Sequence, residues 1–356
     1  MKTPPALHLA EVIEEGLSDL LADDRRRLSD AQRRALHAIL ACRTPDCGSL
    51  LMRCDDCGQQ QGLARACGHR SCPRCQHHLT NAWLARQEAK LLPVTYFMAT
   101  FTLPAGLRGV ARRHPATVYA ALFQAAAATL KGFGQQHRLP IELGLCAVLH
   151  THARNLDYHP HVHVVVPGGG LYRTRHQWRK LKGNYLFNAR ALARVFRGKL
   201  LAALTEAGLT LPLGLPKRWI VDCRQIGRGQ SVLRYLSRYL YRGVISERNL
   251  IALDRQAGTV TYRYQPSGSK APVTRILPLA DFLWRLVQHV LPDGFRRVRD
   301  YGFLHHNAKK TLHQVQLLLR VRLTPPSEPT RSAWCCPCCQ QPMHCVGILP
   351  RRFATG

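Results

Sequence analysis

Apolar residues in the first forty positions recur at helical spacing. Leu17, Leu20, Leu21, Leu28, Leu36, Ile39 and Leu40 stand among charged side chains, which predicts helix over 7–41. The period then stops. Residues 42–76 are rich in Cys and Gly, as expected of a small module held by metal rather than by an apolar core. A helix is predicted over 80–92, stopped by Pro93, and a strand over 94–103, ended by Pro104. An Ala-rich helix should cover 115–131. Residues 143–149 and 162–166 read as strands joined closely enough for an antiparallel pair. Further on, the pattern predicts a helix over 189–207, a strand over 219–222, and a helix over 231–242 with Ser231 as N-cap and Gly243 as stop. A hairpin (259–264 with 273–277) and helices near 280–291 and 307–322 follow. A Pro/Ser linker at 324–332 leads to a Cys-rich tail, and no internal repeat is present. Interposed helices and strands with an antiparallel pair predict an α+β fold rather than a doubly wound one. The expected divisions are a helical segment at 1–41, a zinc-binding module at 42–79, a main domain at 80–322, and a linker with a Cys-rich tail at 323–356.

Charge narrows the partner. The 356 residues carry 51 Lys and Arg against 21 Asp and Glu, a formal net charge of +30. Such a field collects polyanions, and nucleic acid is the default because phosphate neutralisation releases counterions. A merely soluble basic protein is the bland alternative. No stretch reaches the ~18 apolar residues of a membrane span. Glu11, Glu14, Glu15 and Asp19 do not suit a signal peptide, so a cytoplasmic protein is expected. In that reducing compartment its 14 cysteines, most of them clustered, point to metal rather than disulfides.

Cys54-x2-Cys57 and Cys72-x2-Cys75 form two hooks, and two hooks complete one tetrahedral zinc. Cys42, Cys47, Cys67 and His69 remain for a second. In the tail, Cys336, Cys339 and His344 resemble three ligands of a zinc knuckle, with Cys335, Cys338 or Cys345 available to complete it or an incomplete remnant as the alternative.

The strand His159-Pro-His161-Val-His163-Val-Val-Val-Pro167 carries the sharpest chemistry. Residues two apart in a strand share a face, so His161 and His163 project together while Val162 and Val164 enter a core. Paired imidazoles suit a divalent cation with open coordination positions. His150 is the first choice for a third ligand, with His152, His159 and Asp157 as rivals. The Gly168-Gly-Gly170 run that follows lacks the Lys-Ser/Thr of a phosphate loop and is expected to be a flexible turn.

On the helix predicted over 231–242, Tyr235 and Tyr239 share a face at i, i+4, beside a stripe of Arg234, Arg238 and Arg242. Phenols next to guanidiniums can present a nucleophile to a phosphodiester whose charge the arginines hold. Aromatic packing beside a solvated arginine face is the alternative. Tyr241 lies about 200° around the helix from Tyr239 and reads as packing.

Together these motifs resemble the rolling-circle transposases of the insertion sequence ninety-one family, which carry a two-tyrosine HUH domain. The resemblance spans nearly the whole chain. It rests on Cys42-Arg-Thr44, Cys72-Pro-Arg-Cys75, Tyr96-Phe-Met-Ala-Thr-Phe-Thr-Leu-Pro104 and Val148-Leu-His-Thr151. It continues through the block from His159 to Gly170, Phe196-Arg-Gly-Lys199, Tyr235-Leu-Ser-Arg-Tyr239 and Tyr301-Gly-Phe303. It implies an HUH-type antiparallel sheet flanked by helices, preceded by the zinc module. It also implies single-stranded DNA cleavage through a 5′-phosphotyrosine, with Tyr235 and Tyr239 as nucleophiles. Mg2+ or Mn2+ would sit on the histidines, and one or two Zn2+ on the cysteines. The implied partners are single-stranded element ends and target DNA at the bacterial nucleoid, with a homo-oligomer left open. A replication initiator with the same chemistry and a non-enzymatic zinc DNA-binding protein are the rival readings. The second gives no reason for paired histidines facing paired tyrosines.

Overall fold

The computed structural model describes residues 7–75, 77–136, 140–181, 186–229, 244–266, 268–269, 271–322 and 334–350, with backbone only over 77–82. The helix predicted over 231–242 lies outside the described residues. The chain divides into two compact units: Met1–Leu79 with Tyr241–Val290 and Pro325–Gly356, and Thr80–Leu240 with Leu291–Thr324. This differs from the sequential partition expected above, because 241–290 and the tail group with the first 79 residues. Among the described residues no helix is long and apolar enough to cross a membrane.

In the first unit the expected single helix is two, Leu9–Ala22 and Asp30–Leu40. Ser29 ends the break: its hydroxyl accepts from the Gln32 N–H, and the Gln32 side chain accepts in return from the Ser29 N–H. Leu9, Val12, Ile13 and Leu20 are buried on one face of the first helix. Gly16 lets that helix approach helix Leu279–Val287 closely, since a Cβ there would lie 2.7 Å from the Leu279 Cβ. Strands Leu250–Asp254, Thr259–Tyr264 and Val273–Pro278 make a meander with Thr259–Tyr264 in the middle, and Tyr262 is buried against Phe282. A separate small sheet has the order Trp334–Cys335, Pro342–Leu349, Ser49–Cys54, Gln60–Ala64.

The second unit is built on a five-stranded antiparallel sheet. Its order is Val298–Tyr301, Leu145–His152, Tyr158–Pro167, Thr95–Thr102, Val221–Arg228. Alternation sets its faces. Phe97, Ala99, Phe101, Ala147, Leu149, Val162, Val164, Val166 and Val221 enter one core shared with helices Pro115–Gln135 and Ala189–Glu206. Phe101 meets Phe196 of the second helix with ring centroids 4.9 Å apart. The intervening residues belong to the opposite face. The mixed helix and antiparallel-sheet architecture is the α+β class expected.

Gly168–Gly170 is not the flexible turn expected. All three glycines are buried, and the last two begin the short strand Gly169–Tyr172, which pairs with Gln177–Lys180. A Cβ at Gly169 would lie 2.6 Å from the Trp178 ring, and one at Gly170 2.6 Å from the Glu142 carbonyl oxygen. Close packing, not a turn, selects glycine here.

Candidate metal centres

The register of the large sheet assembles the histidine site. His161 lies opposite His150 on one neighbouring strand, and His163 opposite Thr100 on the other. Cross-strand partners share a face, so His150, His161, His163 and Thr100 project together from the side away from the core. The pairing shifts between His150 and His152, a bulge that bends the strand beside the site.

Candidate ligand atoms of His150, His161 and His163 all lie within 4.8 Å of one another. The Nε2 atoms of His161 and His163 are 3.1 Å apart. Adjacent ligands of an octahedral ion with bonds of about 2.1 Å stand about 3 Å apart. The outer nitrogens are occupied. His161 Nδ1 donates to the His159 carbonyl at 2.7 Å, which leaves Nε2 with its lone pair facing the cluster. His163 Nδ1 lies 2.9 Å from the Thr100 hydroxyl, which can accept in the same way. These are the outer contacts that orient metal-binding imidazoles. Burial pushes the His161 imidazolium down to about 4 and His163 down to about 3, with the neighbouring His161 adding to the latter. Burial, then His163 and His161, drives His150 well below the usual imidazole range. All three rings are therefore neutral at pH 7, the ligand form. His161 and His163 remain partly exposed, so the site opens to solvent.

The rival third ligands have other partners. Arg108 donates to His159 Nδ1 at 2.7 Å, and the Asn155 amide donates to the Asp157 carboxylate at 2.7 Å. The His152 ring stacks on His150 at 6.4 Å. Motif reading missed the cations here. The charges of Arg224 and Arg297 reach His163 and His150 respectively. Arg224 stands two residues from Asp222, which lies opposite Thr100, and only the strand register reveals its place. Tyr235, Tyr239, Arg234, Arg238 and Arg242 lie outside the described residues.

The cysteines regroup relative to the expected hooks. One cluster is Cys42, Cys67, Cys72 and Cys75; the other is Cys54, Cys57, Cys336 and Cys339. In the first, Cys42 Sγ lies 3.2 Å from Cys75 and 3.6 Å from Cys72, and Cys67 lies 3.5 Å from Cys75. A tetrahedral zinc with Zn–S bonds of about 2.3 Å sets its sulfurs about 3.8 Å apart. Hydrogen bonds from Cys67 and then Cys72 hold the Cys42 thiol far below the usual range, and the same contacts with Cys42 push Cys67 and Cys72 above it, so one thiolate is shared among neighbouring thiols. All the cysteines are free of disulfides. Cys47 and His69 fall outside both four-sulfur groups, and the His69 N–H donates to Cys67 Sγ at 3.4 Å. His344 is not a ligand in this arrangement; its Nε2 pairs with Asp55 at 2.6 Å.

Comparisons with known proteins agree with this layout. Residues 144–311 match a family described as "Putative transposase", and residues 12–103 match a "Transposase zinc-binding domain". The chain is 37% identical over 327 residues to "Putative transposase y4qJ" of Sinorhizobium fredii, covering 85% of this chain and 81% of that one. It is 29% identical over 300 residues to the "Transposase for insertion sequence element IS801" of Pseudomonas savastanoi pv. phaseolicola, covering 78% and 71%. Among solved structures, the conjugative relaxase TrwC in complex with oriT DNA aligns at TM-score 0.29 and 16% identity, over 63% of this chain and 73% of that one. A likeness of that size adds nothing to the fold assignment.

Proposed function

This chain belongs to the insertion-sequence transposases that carry a zinc-binding domain, and from that premise we propose that it cuts and rejoins single-stranded DNA by tyrosine attack in rolling-circle transposition. One observation carries the chemistry: three imidazoles converge on one point, with the outer nitrogens of His161 and His163 already engaged. His150, His161 and His163 would hold a divalent cation, Mg2+ or Mn2+, which would supply Lewis-acid polarisation at the scissile phosphate. The chain's own groups do the rest. Thr100 and the His159 carbonyl fix the two rings. Arg224 and Arg297 supply positive charge for the phosphodiester. A phenol of Tyr235 or Tyr239 loses its proton to solvent and its oxygen bonds to phosphorus. The bond from phosphorus to the 3′ oxygen breaks, and that oxygen leaves as a hydroxyl after taking a proton. The phosphotyrosine keeps the ester energy, so rejoining needs no nucleotide cofactor.

Two phenols have a physical use: one holds the first 5′-phosphate while the other attacks the next strand. In this reading the protein acts at the bacterial nucleoid on single-stranded element ends and target DNA, and a homo-oligomer would bring the two ends together.

The test is incubation of the full chain with labelled single-stranded element ends and Mg2+ or Mn2+, followed by peptide mapping of the covalent adduct. Phosphotyrosine at Tyr235 or Tyr239 is expected. Either single Phe variant should keep some first-strand cleavage, the Tyr235→Phe/Tyr239→Phe double variant none, and Tyr241→Phe should be nearly silent. An adduct formed by the double variant would move the nucleophile elsewhere.

A further inference from the structure

Two segments far apart in sequence form matching cysteine turns. In Cys54–Gln59, the Cys54 N–H donates to the Gln59 carbonyl at 2.9 Å and the Gly58 N–H to the Cys54 carbonyl at 3.0 Å. In Cys336–Gln341 the same bonds recur: Cys336 N–H to the Gln341 carbonyl at 2.8 Å, and Gln340 N–H to the Cys336 carbonyl at 2.9 Å. The residue after the second cysteine is left-handed in both, with φ of 71° at Gly58 and 64° at Gln340. One position further on, the N–H of Gln59 or Gln341 donates to the sulfur of Cys57 or Cys339. Gln340 holds a conformation that favours glycine, so the turn is imposed by something beyond local preference.

The turns face each other. Cys54 Sγ lies 3.4 Å from Cys339 Sγ across 285 residues, and Cys57 Sγ lies 3.6 Å from Cys336 Sγ across 279. Strand Ser49–Cys54 pairs with Pro342–Leu349 and places Cys54 opposite Met343. The apolar content is slight: Met52 and Met343, with the buried Cys54 and Cys336, form the cluster's core. So small a core seldom holds distant segments together without a covalent or metal link.

We infer that Cys54, Cys57, Cys336 and Cys339 bind a zinc ion of their own, a four-thiolate site split between two distant segments and additional to that of Cys42, Cys67, Cys72 and Cys75. Two of its ligands lie well beyond residue 103, where the match to the zinc-binding domain ends. Zn2+ displaces four thiol protons to the buffer as four Zn–S bonds form. The tail is then a required part of the zinc-binding region, and residues 42–75 alone hold one complete site and one half-site. This does not depend on the DNA chemistry proposed above.

The test uses the full chain reconstituted with Co2+, whose thiolate charge-transfer absorption reports sulfur-bound metal and ignores a histidine site. Wild type should show two four-thiolate sites. Cys336→Ser/Cys339→Ser should lose about half the absorption and one zinc per chain, and Cys42→Ser/Cys72→Ser the other half. A tail variant with undiminished absorption, or a wild type with one such site, overturns the inference. Alkylation of the unmutated zinc protein guards against misfolded variants. Cys54, Cys57, Cys336 and Cys339 should resist together and become reactive together on chelation, while exposed Cys335, Cys338 and Cys345 react at once. Exposed Cys57 reacting as fast as Cys338 in the zinc-loaded protein would also overturn it.

Discussion

Metal affinity at the histidine trio should barely change between about pH 7.5 and about pH 5.5. An ordinary imidazole titrates near about 6.5, so at about pH 5.5 roughly ten of every eleven rings are protonated and each ligand loses about tenfold to proton competition. Two ordinary ligands would lose about a hundredfold. Burial holds His161 to about 4 and His163 to about 3. At about pH 5.5 fewer than about one in twenty of either ring is protonated, so their combined loss is under about 1.2-fold. His150 is shifted in the same direction, again by burial first. Stability moves differently. Below about pH 6.5 the unfolded chain takes up protons on these residues that the native chain refuses until about 4 and about 3, so their contribution to stability falls as pH falls through that window. Calorimetric titration of the zinc-loaded full chain with Mn2+ at both pH values measures the affinity, and melting at each pH confirms that the protein is folded. A drop in affinity near a hundredfold would refute the reasoning. It would mean that water reaches the rings far more freely than their burial implies.

Three further outcomes follow from named contacts. Thr100→Val removes the acceptor that orients His163 and should weaken Mn2+ binding by about 10- to 100-fold without unfolding the sheet, as calorimetry and circular dichroism would show. His161→Ala or His163→Ala should abolish the covalent adduct but change single-stranded DNA affinity by less than about threefold, because the +30 charge dominates binding; fluorescence anisotropy at fixed salt decides it. Gly302→Ala should cost about 3 kcal/mol or more, read from the denaturant midpoint. Gly302 has φ 61°, and an added Cβ would sit 1.7 Å from the Leu143 carbonyl oxygen.

Strand period was the legible part of the molecule. His161 and His163 share a face because any strand puts i and i+2 there, and Val162 and Val164 show the core side. His150 needed one more fact, the antiparallel register, which a single sequence bounds only loosely. Thr100 lay inside the Tyr96–Pro104 block without a role and Arg224 in no motif, and each needed a strand register to reach the site. The cysteines misled for a related reason. Spacing identifies a hook but not its partner, so Cys54-x2-Cys57 read naturally with the nearby Cys72-x2-Cys75. The structure instead joins it to Cys336 and Cys339, a closure across 279 to 285 residues that local spacing does not encode. Gly168–Gly170 misled because glycine serves both turns and close packing, and only the neighbours Trp178 and Glu142 tell which.

The donor sets also explain how one chain can keep two kinds of metal apart. Four thiolates favour zinc and reject Mg2+ and Mn2+, which prefer oxygen, so the cysteine clusters do not compete for the catalytic ion. Imidazole discriminates less: by intrinsic affinity zinc would outbind Mn2+ at His150, His161 and His163 as well. Softness thus keeps Mg2+ and Mn2+ off the cysteines, and completeness of the donor set is what distinguishes the histidines. Each cysteine cluster offers a full tetrahedral set. The histidines offer three nitrogens on an open face, a set that an octahedral ion must finish with oxygen. Water can supply that oxygen, and so can a phosphodiester drawn in by the surrounding arginines. The open face that makes the trio a weaker trap for metal is the same face that lets a DNA strand reach it, whereas four thiolates leave a tetrahedral ion no open position.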